Sequence, residues 1–412
     1  MMHRFWSLAF VWVCWHSAEA QQQVSPIALG HVDSVYSQIL GEKRAIWIYV
    51  PSQESNPAMA RKKFPVVFLL DGDNHFGFVT SLVRQLSEGF THFLPEMIIV
   101  GIPNTDRLRD LTPTHITRTD TYTDSNLFRT TGGGPKFLSF LEAELFRYVD
   151  SLYPTIPHRT FIGHSLGGLM VIEAMLKKPR MFNAWISIDP SLWYDNRKLA
   201  RDSEKFLAVK SMQQESLYLA IANNLKPGMD TLRMKSDTTA STSDTRAIFD
   251  FAGLLRSHPE TGLDWQYRYY AEDDHGSVPM IAEYDGLRFV FRDYRLPDFG
   301  YLTDSTVKPD LILKHQFDKL SQSWGVPVHA PEAFVNALGY TLLQKKQGEK
   351  ALAVFQMNTI NYPGSANAFD SLGDCFLSLG NKGQAASAYR ESLEIRESTQ
   401  TRSKLGKLIA GK

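Results

Sequence analysis

The stretch Thr160-Phe161-Ile162-Gly163-His164-Ser165-Leu166-Gly167-Gly168-Leu169 sets a serine in a G-x-S-x-G frame, between an apolar pair and an amphipathic segment running to Leu176. A strand that turns sharply into a helix holds its corner residue in strained backbone and pushes the side chain clear of the sheet edge. Glycines at 163 and 167 suit such a corner, because a side chain at either would meet the opposing arm of the turn. The helix that follows aims its first amides and its dipole at Ser165, where negative charge develops during acyl transfer. The chemistry this spacing supports is nucleophilic attack by a serine hydroxyl, and that hydroxyl needs a base.

Among the 12 histidines, His275 stands just beyond the last strand-like run and before Gly276, 110 residues past Ser165. In an elbow-type hydrolase the base follows the last strands, so His275 is the expected base. His258, before Pro259, is the weaker alternative, and His164 adjoins the nucleophile but is expected to point away from it. The acid that orients the imidazole is expected after the run Leu217 to Ala222. Asp230 comes first there and Asp237 second. Asp274 is a third choice, disfavoured because adjacent side chains diverge, and a Ser-His dyad stays open. The oxyanion donors are expected to be the backbone N–H groups of Leu166 and of Asp73, in Asp71-Gly72-Asp73, with the Asp73 carboxylate turned elsewhere.

The elements that must hold these groups follow from periodicity. Val35 to Leu40 and Arg44 to Val50 alternate about Gly41 as a hairpin. Pro65 to Leu70 and Met97 to Val100 are continuous apolar runs, the mark of strands buried on both faces. Ala184 to Ile188, Leu217 to Ala222 and Trp265 to Tyr270 read as further strands. Between them Val79–Leu86, Lys136–Val149, the segment after Ser165, and Ile248–Leu255 carry helical periodicity. This alternation predicts an α/β fold, a mostly parallel sheet covered on both faces by helices. The polar stretch Pro103 to Pro135, with Asn104, Arg107, Arg109 and Gly132-Gly133-Gly134, is too long for a plain connection and is expected at the rim of the pocket.

Past Pro297 the character changes. Residues 298–330 read as a linker with local helix, and residues 331–400 carry a repeat of period 34. Leu338-Gly339 matches Leu372-Gly373, Leu343 matches Leu377, Ala351 matches Ala385, and Phe355 matches Tyr389. That register is the signature of tetratricopeptide-like helix pairs. Two units are fewer than independent stability usually requires, so the tail is expected to pack on the catalytic domain or on another chain.

Composition narrows the setting. The chain has 412 residues with 44 basic and 44 acidic side chains and no long run of either sign, which argues against a nucleic-acid partner. His3 and Arg4, an apolar run from Phe5 to Trp15, and Ala18-Glu19-Ala20 form a signal peptide over residues 1–20, cleaved after Ala20 and too short for a membrane span. Cys14 falls inside it, leaving Cys375 alone and no intrachain disulfide. The mature chain from residue 21 is expected in the periplasm, ahead of the medium. Residues 21–297 then form the catalytic domain.

Arg44-Ala45-Ile46-Trp47-Ile48-Tyr49-Val50-Pro51, Leu69-Leu70-Asp71-Gly72-Asp73, Gly163-His164-Ser165-Leu166-Gly167-Gly168 and Asp274-His275-Gly276-Ser277-Val278-Pro279 together resemble the putative esterase family of α/β-hydrolases. That family includes siderophore (enterobactin) esterases, S-formylglutathione hydrolase, feruloyl and acetyl-xylan esterases, and mycolyltransferases. The resemblance spans roughly residues 30–295, and His-Gly-Ser-Val-Pro points toward the siderophore-esterase branch. It implies an α/β-hydrolase fold, Ser165 as nucleophile and His275 as base, while its acid position has no unambiguous match here. The expected function is a secreted serine hydrolase that cleaves a carboxylic ester through an acyl-enzyme, without metal or organic cofactor. Its substrate is expected to be a siderophore ester or an acylated carbohydrate. The alternatives are acyl transfer to an alcohol or sugar, and a non-catalytic binding protein whose tail recruits a partner or a second copy.

Overall fold

The computed structural model describes residues 28–51, 62–88, 93–118, 125–209 and 211–410. The expected signal peptide, residues 1–20, lies outside them. The hairpin about Gly41 forms as β1 (His31–Ser37) and β2 (Glu42–Tyr49), with Ser37 opposite Glu42 and Gly41 in the left-handed region at φ 72°. The apolar runs become β3 (Phe64–Leu70), β4 (Ile98–Ile102) and β6 (Ala184–Ile188), in which every residue is buried. With β5 (Thr155–His164), β7 (Ser216–Ala222) and β8 (Asp264–Tyr270) they make one eight-stranded sheet of order β1-β2-β4-β3-β5-β6-β7-β8. All pairings from β4 to β8 are parallel, and β2 pairs antiparallel with both β1 and β4.

Helices pack on both faces. In chain order they are α1 (Gly72–Ser87), the short α2 (Arg107–Asp110), α3 (Gly134–Phe140) continuing through a π-helical turn into α4 (Phe146–Leu152), α5 (Leu166–Lys177) and α6 (Tyr194–Leu207). Then come α7 (Thr231–Ser236), α8 (Ser243–Ser257) and α9 (Val278–Val290). One core joins α3, α4, α5, α6 and α8 to the sheet through residues such as Phe137, Leu145, Val171, Leu199 and Phe251. The other joins α1 and α9 to the opposite face through Phe76, Val79, Val83, Ala282 and Leu287. Parallel strands present their C-terminal ends at one edge of the sheet, where ligands bind in open α/β folds. There the chain leaves β3 at Asp71, β5 at Ser165, β6 at Asp189 and β7 at Asn223, and β8 leads on to His275.

The stretch 298–330, read from sequence as a linker with local helix, holds α10 (Phe299–Leu302) and the 16-residue α11 (Pro309–Trp324). Leu313, Phe317, Leu320 and Trp324 recur at helical spacing and are buried in the same core as α1 and α9. The Trp324 ring lies 4.4 Å from His158 and 6.1 Å from Phe291, so α11 seals that face of the α/β unit. Next come α12 (Glu332–Gln344), α13 (Gly348–Asn361), α14 (Ala366–Ser378), α15 (Lys382–Ile395) and α16 (Thr399–Ala410). A Cβ on Gly339 would lie 2.5 Å from the Phe355 ring, and one on Gly373 would lie 2.5 Å from the Tyr389 ring. The two helix pairs therefore close on the same glycine–aromatic contact, one repeat apart. Lys345, Gln347 and Lys350 reach back to Thr303, Asp304 and Ser305, fastening the tail to the segment before α11. Among the described residues no helix is long and apolar enough to cross a membrane.

Candidate active site

Ser165 sits between β5 and α5 at φ 60°, ψ −116°, a strained conformation for a residue with a Cβ. Close packing enforces it. A Cβ on Gly163 would lie 2.4 Å from the Gly167 carbonyl carbon, and one on Gly168 would lie 2.9 Å from the Ile188 carbonyl oxygen. The Ser165 N–H donates to the Ile188 carbonyl, and its own carbonyl accepts from Ser191 N–H, both at 3.0 Å. The hydroxyl is thereby held at the sheet edge.

His275 Nε2 lies 3.1 Å from Ser165 Oγ, and its Nδ1 lies 2.6 Å from Asp189 Oδ2. Asp189 is 3 % exposed, and a carboxylate has only acceptor sites, so Nδ1 carries the hydrogen and Nε2 keeps a lone pair for the serine hydroxyl. Asp189 also accepts from Ala222 N–H at 3.0 Å and from Asn224 Nδ2 at 2.8 Å. Asn224 turns its other amide atom, Oδ1, to the backbone N–H of His275 at 2.9 Å. One side chain thus fixes both the acid and the loop carrying the base, and Asn223 N–H donates to the Asp273 carbonyl at 2.7 Å to brace the same loop.

The carboxylate facing His275 therefore comes from the end of β6, not from the segment after β7. Asp230 caps α7, accepting from the N–H groups of Leu232 and Arg233. Asp237 is spent on Thr239 and Thr242. Asp274 accepts from the N–H groups of Gly276 and Ser277, closing the turn that presents His275 without reaching its ring. Asp189 had a local signal in the sequence: it ends the apolar run 184–188 directly before Pro190. Asn224 and Ser191, whose Oγ is 3.3 Å from that of Ser165, had none. His258 turns Nδ1 to the Leu254 carbonyl at the end of α8. His164 does not simply point away, since its ring centroid lies 4.5 Å from that of His275. Burial, reinforced by the neighbouring histidines, lowers its pKa to about 4, so it packs there as a neutral ring.

Leu166 opens α5 and Asp73 stands in the first turn of α1, positions whose N–H groups have no acceptor within their own helix. The two helix starts are pressed together: a Cβ on Gly167 would lie 3.2 Å from Asp71 Oδ2 and 3.5 Å from Leu70 Cβ. Burial alone would raise the pKa of Asp71. Arg107, through Nε at 2.6 Å and Nη2 at 3.0 Å, and Asn104 Nδ2 at 2.7 Å outweigh it and keep the carboxyl low. Arg107 also donates to the His164 carbonyl at 3.3 Å, tying this corner to the elbow. Asp73 turns its carboxylate to Asn104 at 3.3 Å. Arg109 plays a different part, pairing with Glu42 and Asp110 at the base of the loop.

Between the start of α6 and the start of α8 opens a cavity of about 420 Å³ lined by Arg118, Arg197 and Arg246 together with Trp193, Asp195 and Asp244, and Arg197 is paired with Asp250 at 2.6 Å. The buried Nε atoms of Arg197 and Arg246 have no hydrogen-bond partner among the described residues. Asp195, Asn196 and Arg197 occupy three successive left-handed conformations with φ of 49°, 50° and 62°, an arrangement that costs about 1–2 kcal/mol per residue. Trp193 follows Ser191 by two residues, and Ser191 Oγ lies 3.3 Å from Ser165 Oγ, so this wall of the cavity adjoins the elbow.

The chain is similar to several known proteins. The family model described as Putative esterase matches residues 37–258. The ferri-bacillibactin esterase BesA of Bacillus subtilis is 25 % identical over 272 residues, covering 64 % of this chain and 89 % of that protein. A siderophore enterobactin esterase of Emericella nidulans is 28 % identical over 254 residues, 56 % of this chain and 82 % of that protein. The crystal structure of an IroE-like serine hydrolase from Shewanella oneidensis is 30 % identical, covers 80 % of this chain and 99 % of its own, and superposes with a TM-score of 0.69. With its elbow, its sheet order and a model match over more than half its length, the chain belongs to the putative esterase family and is an ester-hydrolysing enzyme of the α/β-hydrolase type.

Proposed function

We propose that the protein is a secreted serine esterase in which Ser165, His275 and Asp189 act as a triad on siderophore-type esters. The observation that carries this is the relay from Ser165 Oγ to His275 Nε2 at 3.1 Å and from Nδ1 to the buried Asp189 at 2.6 Å. Ser165 Oγ attacks the ester carbonyl as His275 Nε2 takes its proton. Asp189 holds the tautomer and stabilises the imidazolium that forms. The N–H groups of Leu166 and Asp73 receive the developing oxyanion. Collapse of the tetrahedral intermediate transfers the proton from His275 to the leaving alkoxide and leaves an acyl-Ser165 ester. Water, deprotonated by the same imidazole, then releases the acid.

The choice of substrate rests on the relatives' activities and on the arginine-lined cavity. Although Arg197 is paired with Asp250 and the wall also carries Asp195 and Asp244, the N–H groups of Arg118, Arg197 and Arg246 offer donors to the oxygen atoms of an iron-chelating ester, and Trp193 offers a flat apolar wall. Residues 1–20 support export as a signal peptide. The glycine–aromatic helix pairs of the tail support a tetratricopeptide-like unit that meets a partner rather than the ester. The test is incubation of the mature protein and of Ser165→Ala with a fluorophosphonate probe, a short-chain aryl ester and a cyclic triester siderophore. Labelling and hydrolysis by the wild type alone support the reading. Full ester turnover by Ser165→Ala refutes it, and products carried only to an added sugar acceptor make the enzyme a transferase.

A further inference from the structure

Behind the triad, on the side away from the arginine-lined cavity, a buried pair joins the helix that begins at the oxyanion corner to the helix that follows the base. Glu283 on α9 is 1 % exposed, and its Oε1 lies 2.7 Å from Nδ1 of His75 on α1. Its Oε2 is buried with no partner among the described residues. His75 closes the first turn of α1, where its N–H donates to the Asp71 carbonyl at 3.2 Å, and it stands two residues after the proposed oxyanion donor Asp73. Glu283 stands on the helix that opens three residues after His275. The three rings His75, His164 and His275 form a row, with centroids 6.1 Å and 4.5 Å apart.

We propose that the Glu283–His75 pair is a positioning device for catalysis, setting the register of α1 against α9 and so the oxyanion amide of Asp73 against the imidazole of His275. The inference rests on the triad reading above. An apolar pair of similar volume would join two helices at no lower stability, because desolvation cancels most of what a buried ion pair gains. What an apolar pair lacks is direction: a single 2.7 Å hydrogen bond permits one relative placement of the helices, whereas packed methyl groups permit several. The surroundings favour a shared proton. Burial raises the pKa of Glu283, while the Glu283 carboxylate, and after it the charge of Asp71, keeps that of His75 up against its own burial. Of the other groups facing the row, Arg107 is neutralised by Asp71, and His164 stays uncharged. The pair is therefore polar, largely shielded and directional at a junction between the helix that follows Asp71 and the helix that follows His275. Displacement of a catalytic group by about 1 Å costs on the order of 10²-fold in rate, so even a fraction of that slip is measurable.

The experiment compares the wild type with Glu283→Leu, Glu283→Gln and His75→Phe on a short-chain aryl ester, with inhibition by an aryl boronic acid and thermal unfolding measured in parallel. A boronate adduct on Ser165 places an oxygen among the oxyanion donors, so its affinity reads their placement. Glu283→Leu is expected to lower kcat about 10-fold and to weaken boronate binding by a similar factor, with KM moving less than 3-fold and the melting temperature unchanged or higher. Glu283→Gln, which keeps an acceptor for Nδ1–H, is expected to recover most of the lost kcat. A folded Glu283→Leu with kcat and boronate affinity within 2-fold of wild type overturns the proposal, as does a loss confined to KM. Should Glu283→Leu fail to fold, His75→Phe is read by the same criteria, and failure of both to fold makes the pair a folding determinant only. A wild type that neither hydrolyses the ester nor labels with a fluorophosphonate fails at Ser165 instead, which overturns the esterase reading and this inference with it.

Discussion

Replacement of Asp189 by asparagine separates the role of the acid from its shape. Asp189 accepts from three donors: His275 Nδ1, Asn224 Nδ2 and the Ala222 N–H. An asparagine there has one oxygen and one NH2, so two placements are open. With the oxygen toward His275 and Asn224, its NH2 meets the Ala222 N–H donor to donor, which strands a buried polar group at about 1–3 kcal/mol. The imidazole keeps its tautomer but loses the charge that steadies the imidazolium. With the NH2 toward His275, Nδ1 must be the acceptor, Nε2 carries the hydrogen, and the base cannot take the Ser165 proton. Either placement predicts a fall in kcat of about 10²–10⁴, or roughly 3–5.5 kcal/mol of transition-state stabilisation. The assay is steady-state hydrolysis of an aryl acetate together with the rate of fluorophosphonate labelling, with circular dichroism to show that the fold persists. Asp230→Asn and Asp237→Asn are expected within about 3-fold of wild type, since their partners are helix and turn groups. A folded Asp189→Asn that keeps kcat within about 3-fold refutes the assignment, as does a 10²-fold loss in Asp230→Asn.

Three further outcomes are expected. Asn224→Ala removes the side chain bridging Asp189 and the His275 N–H and should lower kcat by about 10-fold with little change in KM; an unchanged kcat counts against that bridge. Glu215 accepts from Trp185 Nε1, and burial raises its pKa to about 8, so ionising it opposes folding, and stability is lost as pH rises from about 4.5 through 8. Glu215→Gln should therefore stabilise the protein by on the order of 3 kcal/mol at pH 9 and by little at pH 4, read from denaturant unfolding, and an equal effect at both pH values would contradict it. A chain ending at residue 297 loses α11 and with it the cover of Phe291 and Tyr294, whereas one ending at residue 325 keeps Trp324 on that face. The longer chain should hydrolyse a small aryl ester within about 3-fold of the full protein, and the shorter should unfold or aggregate, since uncovering such a site costs about 3–5 kcal/mol; equal stability of the two would show that α11 is dispensable.

What was legible in the sequence was whatever neighbouring residues determine among themselves. The elbow is one such feature: Gly163, Ser165 and Gly167 stand within five positions, and the collision of a Gly163 Cβ with Gly167 is built into that spacing. The buried strands are another, because Val66–Leu70 and Ile98–Val100 need no distant partner to declare that both their faces are covered. His275 was legible because it follows the last strand. Asp189 was not, because the identity of the acid depends on where a returning loop lands. The segment after β8 folds back across the end of β7, pinned by Asn223 and Asn224, and so aims His275 Nδ1 at the end of β6. Two strand-end aspartates, Asp71 and Asp189, carried the same local signal. Choosing between them requires knowing that Arg107, from the long loop after β4, already occupies Asp71. The tail divides in the same way. The spacing of Leu313, Phe317, Leu320 and Trp324 is visible as an amphipathic helix, but nothing within the segment says which surface it covers. Its role as a cover appears only once Phe291 and Tyr294 are known to face it. The proposed nucleophile and base are thus readable from short-range pattern, while the groups packed around them, Asp189, Asn224, Arg107, His75 and Glu283, come from five different loops or helices and meet only in the folded chain.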